Sequence, residues 1–193
     1  KGQPGTDFFD GGLGLDTVVY NGPIERYSIT KSGNRYVVSE PTGSDDTDYL
    51  SNIERLQFSN GKVALDVETG NAGEAAKLIG ALLGPTYVKD KALAGIVINL
   101  LDQKYSSDTI ANLGLATPMF LSMAGSSSNT DFVKQVFTNV VGRAPTPSES
   151  STYVNMLDAG TSQSALALMA AHTDLNAARI NLVGLIQHGL EFA

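Results

Sequence analysis

The stretch G-Q-P-G-T-D-F-F-D-G-G-L-G-L-D-T-V-V, residues 2–19, decides how the front of the chain folds. It divides into nonapeptides. Residues 11–19 fit the repeat G-G-x-G-x-D-x-U-x at every defined position, with Val18 as the large apolar U; residues 2–10 fit except at Gln3. Glycine opens backbone angles closed to other residues, so carbonyl oxygens can turn inward. The aspartates add hard anionic oxygens, and carboxylates and carbonyls together are what Ca²⁺ prefers. Asp7, Asp10, Gly11, Gly12, Gly14 and Asp16 are therefore candidate metal-binding residues. Residues 43–51, G-S-D-D-T-D-Y-L-S, fit the same template loosely, with Asp48 at the aspartate position and Leu50 at the apolar one. Asp45, Asp46 and Asp48 repel one another unless solvated or neutralised by a cation. The expectation is that this turn stacks on the opening ones and adds Asp48 to the site; a solvated acidic loop is the competing reading.

Outward from these turns the sequence reads as strands. I-E-R-Y-S-I-T (24–30) and R-Y-V-V-S-E (35–40) are rich in β-formers and joined by K-S-G-N, a hairpin signal. R-L-Q-F-S-N-G-K-V-A-L (55–65) carries Asn60-Gly61, which favours a two-residue type I′ turn. Leu56, Phe58, Val63 and Leu65 alternate with polar residues, which predicts one buried face.

These residues resemble the RTX (haemolysin-type calcium-binding) proteins, whose nonapeptides wind into a parallel β-roll. The run Asp48-Tyr49-Leu50-Ser51-Asn52-Ile53-Glu54-Arg55-Leu56-Gln57-Phe58-Ser59-Asn60-Gly61 is similar to the D-T-L-x-N-I-E-R-L-x-F-x-(D/N)-G segment that often follows RTX repeats. The resemblance implies that an ion sits between one turn and the next but one, so two repeats supply half-sites. It also implies a secreted, extracellular bacterial protein, exported by a type I system that reads an uncleaved C-terminal signal.

The texture changes near Gly70. Residues 1–70 carry 11 acidic and 6 basic residues, and residues 71–193 carry 9 and 7, within a net charge of -7. That balance lacks the basic footprint that nucleic acid or an anionic membrane surface requires. No apolar run is long enough for a membrane span, and without cysteine there is no disulfide or thiolate site. From Asn71 onward the sequence reads as helices, the first stopped by Gly84-Pro85. Residues 130–142 place Phe132, Val133, Val136, Phe137, Val140 and Val141 on one face. Thr146-Pro147-Ser148-Glu149 combines an N1 proline with a capping box. A-G-S-S-S-N-T-D (124–131) reads as a flexible linker, and I-N-L-V-G-L-I-Q-H-G-L-E-F-A (180–193) as an apolar helix with a short tail. K-L-I-G-A-L-L-G with I-N-L-L-D echoes K-Q-V-F-T-N-V-V-G with V-N-M-L-D about 57 residues later, suggesting two related helical units. Residues 132–154 are also similar to an uncharacterised helical domain at the C-termini of secreted RTX-type proteins: Asn139, Gly142, Arg143, Pro145 and Tyr153 match its pattern, while Phe137, Thr146, Ser151 and Val154 depart from it. Arg143 is placed to satisfy carbonyls at a helix end.

His172 and His188, the two histidines, both fall near helix ends, where a structural role is favoured. No H-E-x-x-H, G-x-S-x-G or Walker-type motif occurs. The sequence thus predicts an α+β protein: a β-roll-like and β-hairpin unit with RTX-type turns over residues 1–70, then an all-α helical bundle over 71–193. The expected function is a non-catalytic calcium-binding C-terminal module of a larger secreted protein, with Ca²⁺ and the type I secretion machinery as partners. The alternative is an adhesive or surface-layer-like module whose helical half binds a cell-surface glycan, a protein or itself.

Overall fold

A computed structural model describes residues 5–40 and 47–193. The chain is mixed α+β: strands come first, in two small open sheets, and helices follow. It divides into two compact units, residues 1–73 with 183–193, and residues 74–182.

The first unit is built from β1 (Phe8–Asp10), β2 (Thr17–Val19), β3 (Ser28–Ser32), β4 (Arg35–Ser39), β5 (Thr47–Ser51), β6 (Arg55–Phe58) and β7 (Gly61–Ala64), with β8 (Leu190–Phe192) returning from the far end of the sequence. One sheet runs β1-β5-β4-β3 and the other β2-β6-β7-β8. β1 lies parallel to β5 with Phe9 opposite Leu50, and β2 parallel to β6 with Val18 opposite Leu56. All other pairings are antiparallel. The chain thus passes from one sheet to the other through Gly11–Asp16, and does so again through Asn52–Glu54. Side chains from both sheets share a core of Val18, Val38, Leu50, Leu56, Phe58 and Val63. Tyr20 stacks on Phe58 at 5.3 Å between ring centres.

Three local expectations change. Residues 24–26 form a turn of 3₁₀ helix ahead of β3 rather than strand, because Pro23 sets its entry. The β6–β7 turn is Ser59-Asn60, one residue earlier than the Asn60-Gly61 dipeptide suggests, since Phe58 pairs with Gly61. Neither turn residue has positive φ, so the turn is not type I′. Asn60 is instead held by its side chain, which accepts from Ile24 N–H and donates to Glu25. The C-terminal tail is strand, with Leu190 and Phe192 buried.

The helices are α1 (Asn71–Leu83), α2 (Lys91–Asp102), α3 (Ser107–Leu115), α4 (Pro118–Ala124), α5 (Asn129–Val141), α6 (Pro147–Asp158), α7 (Gln163–Ala171), α8 (Asp174–Arg179) and α9 (Leu182–His188). A polar side chain opens most of them: Asp90, Ser106, Thr117, Ser128, Thr146, Ser162 and Thr173 each accept from a backbone N–H in the first turn. The serine-rich segment is such a cap and not a linker: Ser126 and Ser128 both donate to the Asp131 carboxylate. The last apolar helix is broken at Asn181, which takes φ +54. The internal echo has a counterpart in lengths. α1 and α5 have 13 residues each, α2 and α6 have 12, and Gly84 and Gly142 after the first pair both have positive φ. Phe120, Phe132, Val133, Leu157 and Leu166 centre the core of this second unit.

Candidate functional site

The crossing between β1 and β2 carries most of the sequence candidates. Gly11 enters it with its N–H on Ser51 O. A side chain there is impossible: a Cβ would lie 2.1 Å from Asn52 O and 2.7 Å from Asp16 Cβ. Gly12 and Gly14 take φ +76 and +131, open to glycine at no cost. The second crossing therefore seats the Asn52 carbonyl against Gly11, beside the Asp16 side chain.

Asp16 is central. Its N–H donates to Glu54 Oε2 at 2.9 Å, and its carbonyl accepts from Glu54 and Arg55 N–H. Its carboxylate oxygen Oδ2 is shut off from solvent, with no hydrogen-bond partner among the described residues. A buried carboxylate oxygen without a donor is costly unless something positive reaches it. Two other oxygens stand close to Asp16 in this corner: Asn52 O, which crowds the same Gly11 position, and Glu54 Oε2, which accepts from the Asp16 N–H. Carboxylate and carbonyl oxygens are the ligand type that Ca²⁺ takes. Among the described residues no three His, Asp or Glu side chains gather as a metal cage. An ion here would be held by Asp16, with neighbouring carbonyl and carboxylate oxygens contributing to its shell.

The other candidates are occupied differently. Asp10 is exposed and accepts from Gly12 N–H and Asn52 Nδ2, which hold its carboxyl below the usual range. Asp7 gives its backbone N–H to Asp48 Oδ1 at 3.2 Å. Asp48 is buried, and its Oδ2 accepts from the Tyr20 hydroxyl at 3.0 Å. Burial, then the Asp48 charge, raises the Tyr20 phenol above its ordinary value. Asp48, in β5, thus ties the residue before β1 to the residue after β2. Asp45 and Asp46 lie outside the described residues.

Asn52 and Glu54 were not among the sequence candidates, although the quoted segment contains both. Asn52 takes φ +52, a left-handed position that asparagine tolerates. Farther along, Arg55 is buried, pairs with Asp66 and donates to Glu54 O.

Both histidines have partners. His172 Nε2 meets Glu74 Oε2 at 2.8 Å and its Nδ1 faces Leu168 O, while His188 Nδ1 faces Ile29 O. Arg143 does not cap α5. Its guanidinium forks onto both Glu149 oxygens, stacks on Phe137 and reaches Ala144 O. Gly142 in the left-handed conformation ends that helix.

Residues 112–179 match the family described as Domain of unknown function (DUF4214), which spans 68 of the 193 residues and includes 132–154. No curated protein and no solved structure matches the chain. No helix among the described residues is long and apolar enough to cross a membrane.

Proposed function

We propose that this chain is a non-catalytic calcium-binding module of a larger secreted bacterial protein of the RTX type, exported by type I machinery and folded by calcium outside the cell. The observation that carries the reading is the sealed Asp16 Oδ2, without a hydrogen-bond partner among the described residues, beneath a turn in which only glycine fits at position 11. The two successive crossings, with β1 parallel to β5 and β2 parallel to β6, support a β-roll-like reading of this corner. β1 and β2 are both outermost in their sheets among the described residues, leaving an edge on which a further coil of the same kind would complete the ligand shell. Ca²⁺ would supply the positive charge that Asp16 lacks, and its binding free energy would add to folding. For one site at a hundredfold excess over Kd that is about 2.7 kcal/mol.

The test is a calcium titration of the chain followed by calorimetry and circular dichroism. The melting temperature is expected to rise at roughly 0.1–1 mM calcium, the range of extracellular modules. Asp16→Asn removes the anionic oxygen and is expected to abolish the rise, while Asp48→Asn lowers stability with the calcium response retained. A wild-type melting temperature that ignores calcium, or an equal rise in Asp16→Asn, overturns the reading.

A further inference from the structure

The second unit contains a hollow of about 190 Å³ between α5, α6, α7 and the start of α8. Its floor is the core itself: Phe132, Val133, Val136 and Val140 on α5 and Leu166 on α7, all buried. Tyr153 forms a side wall. Thr173 brings a hydroxyl to the lining, but that hydroxyl is committed, donating to Ala170 O and accepting from Asn176 N–H. Apart from Tyr153 and Thr173 the lining is apolar. An apolar cavity of roughly 150 Å³ is enough to hold benzene. At the mouth stand Met169 and Leu175, each 56 % exposed. Two large apolar side chains around an open apolar hollow are costly in water, and a methionine rim adapts readily to an occupant.

Charge selects among occupants. Arg179 lies one turn beyond Leu175 on α8, with its guanidinium against Gly142, the residue after the lining residue Val141. Arg143 is neutralised by the Glu149 carboxylate. Among the described residues Arg179 has no carboxylate partner, and its hydrogen bond there is a 3.5 Å contact from Nε to Asn139 O. Its terminal nitrogens lie beside Gly142, at the Val141 end of the hollow, on a residue that is exposed overall, and a guanidinium fork is the group suited to a carboxylate.

We propose that this hollow binds a small amphipathic monocarboxylate, an alkyl chain or aromatic ring of roughly eight carbons seated on α5, with its carboxylate paired to Arg179. The site is independent of the calcium reading, since every residue in it belongs to the second unit.

Sodium octanoate, 1-octanol and butyrate are the probes, titrated into the full 193-residue chain by calorimetry. Octanoate is expected to bind one to one, with methyl resonances of Val133, Val136 and Leu166 shifting, and butyrate to bind far more weakly. Arg179→Gln is expected to weaken octanoate about tenfold or more and to leave octanol unchanged. Met169→Trp plugs the mouth from an exposed position, so the fold stays intact by circular dichroism while both ligands are lost. Val136→Phe fills the floor as a second block. The proposal is overturned if octanoate shows no saturable binding, if Met169→Trp and Val136→Phe leave it intact, or if Arg179→Gln weakens octanol as much as octanoate.

Discussion

Asn139 shows how much one buried amide can hold. It sits on α5, and its Nδ2 donates to Ala81 O and Leu82 O at the end of α1, while its Oδ1 accepts from Gln135. The last carbonyls of a helix have no partner within it, so a buried helix end needs donors from elsewhere. Asn176, wholly buried, donates to Lys77 O within α1 and to Ala171 O at the end of α7. Gly80 makes room for it, because a Cβ there would stand 2.3 Å from Ile180 Cγ2 and 3.0 Å from Asn176 Oδ1. Asn139→Ala strips both α1 carbonyls of their donor and is expected to cost about 2–3 kcal/mol; urea unfolding of the variant checks it. The sequence marks Asn139 only as a match within a helical pattern, and gives no sign of Asn176. A buried amide bonding across 58 or 99 residues leaves no local periodicity to read. Asp16 is the converse case, because its nonapeptide is a local signature and the candidate was visible at once. Its partners Asn52 and Glu54 come from a segment 36 to 38 residues away, whose pattern hides which polar residues turn toward the glycines.

At the scale of the element, α6 carries the clearest sequence signal and the clearest electrostatic one. Thr146 and Glu149 form the capping box in both directions, and Arg143 forks onto the same glutamate. The Arg143 bonds first, then those from Thr146, lower the Glu149 carboxyl from 4.5 to about 2. A carboxyl whose folded value is depressed stabilises the fold above its ordinary value and loses that contribution as pH falls. The window here runs from pH 4.5 down to about 2. Glu149→Gln is therefore expected to flatten the acid arm of stability across that window, as read by unfolding at successive pH values. Arg143→Ala should return the Glu149 titration toward 4.5 in a carboxyl NMR titration. Capping boxes are legible because their residues are three apart. Harder cases are the serine-rich segment, where Ser126 and Ser128 order themselves around Asp131, and the helix break at Asn181. There a helical period continues through the sequence while one left-handed residue redirects the chain.

The whole molecule holds one feature that composition conceals. The change of texture near Gly70 suggests two consecutive halves, yet the first unit is made from both ends of the sequence. β8 adds to β7, with Val63 opposite Glu191, and Phe192 lies under Arg55 and Lys62. Gly189 admits the turn before it: its φ is +83 and a Cβ would strike Val63 Cγ1 at 2.3 Å. The Tyr36 hydroxyl donates to both Leu65 O and Ile186 O, and burial pushes its phenol up to about 12. Three residues of alternation in L-E-F are too few to announce a strand, which is why the tail reads as an appendage. Removing residues 190–193 is expected to lose the dispersed strand resonances of the first unit in an amide NMR spectrum while the helical ones persist.

A unit assembled from residues 1–73 and 183–193 has a consequence for biosynthesis. The ribosome makes its first segment, then the 109 residues of the helical unit, and only then the strand that finishes the second sheet. Here the unit begun first is the one whose sequence is completed last. The helical unit has all of its sequence in hand first, and the segment translated earliest waits longest for its final partner.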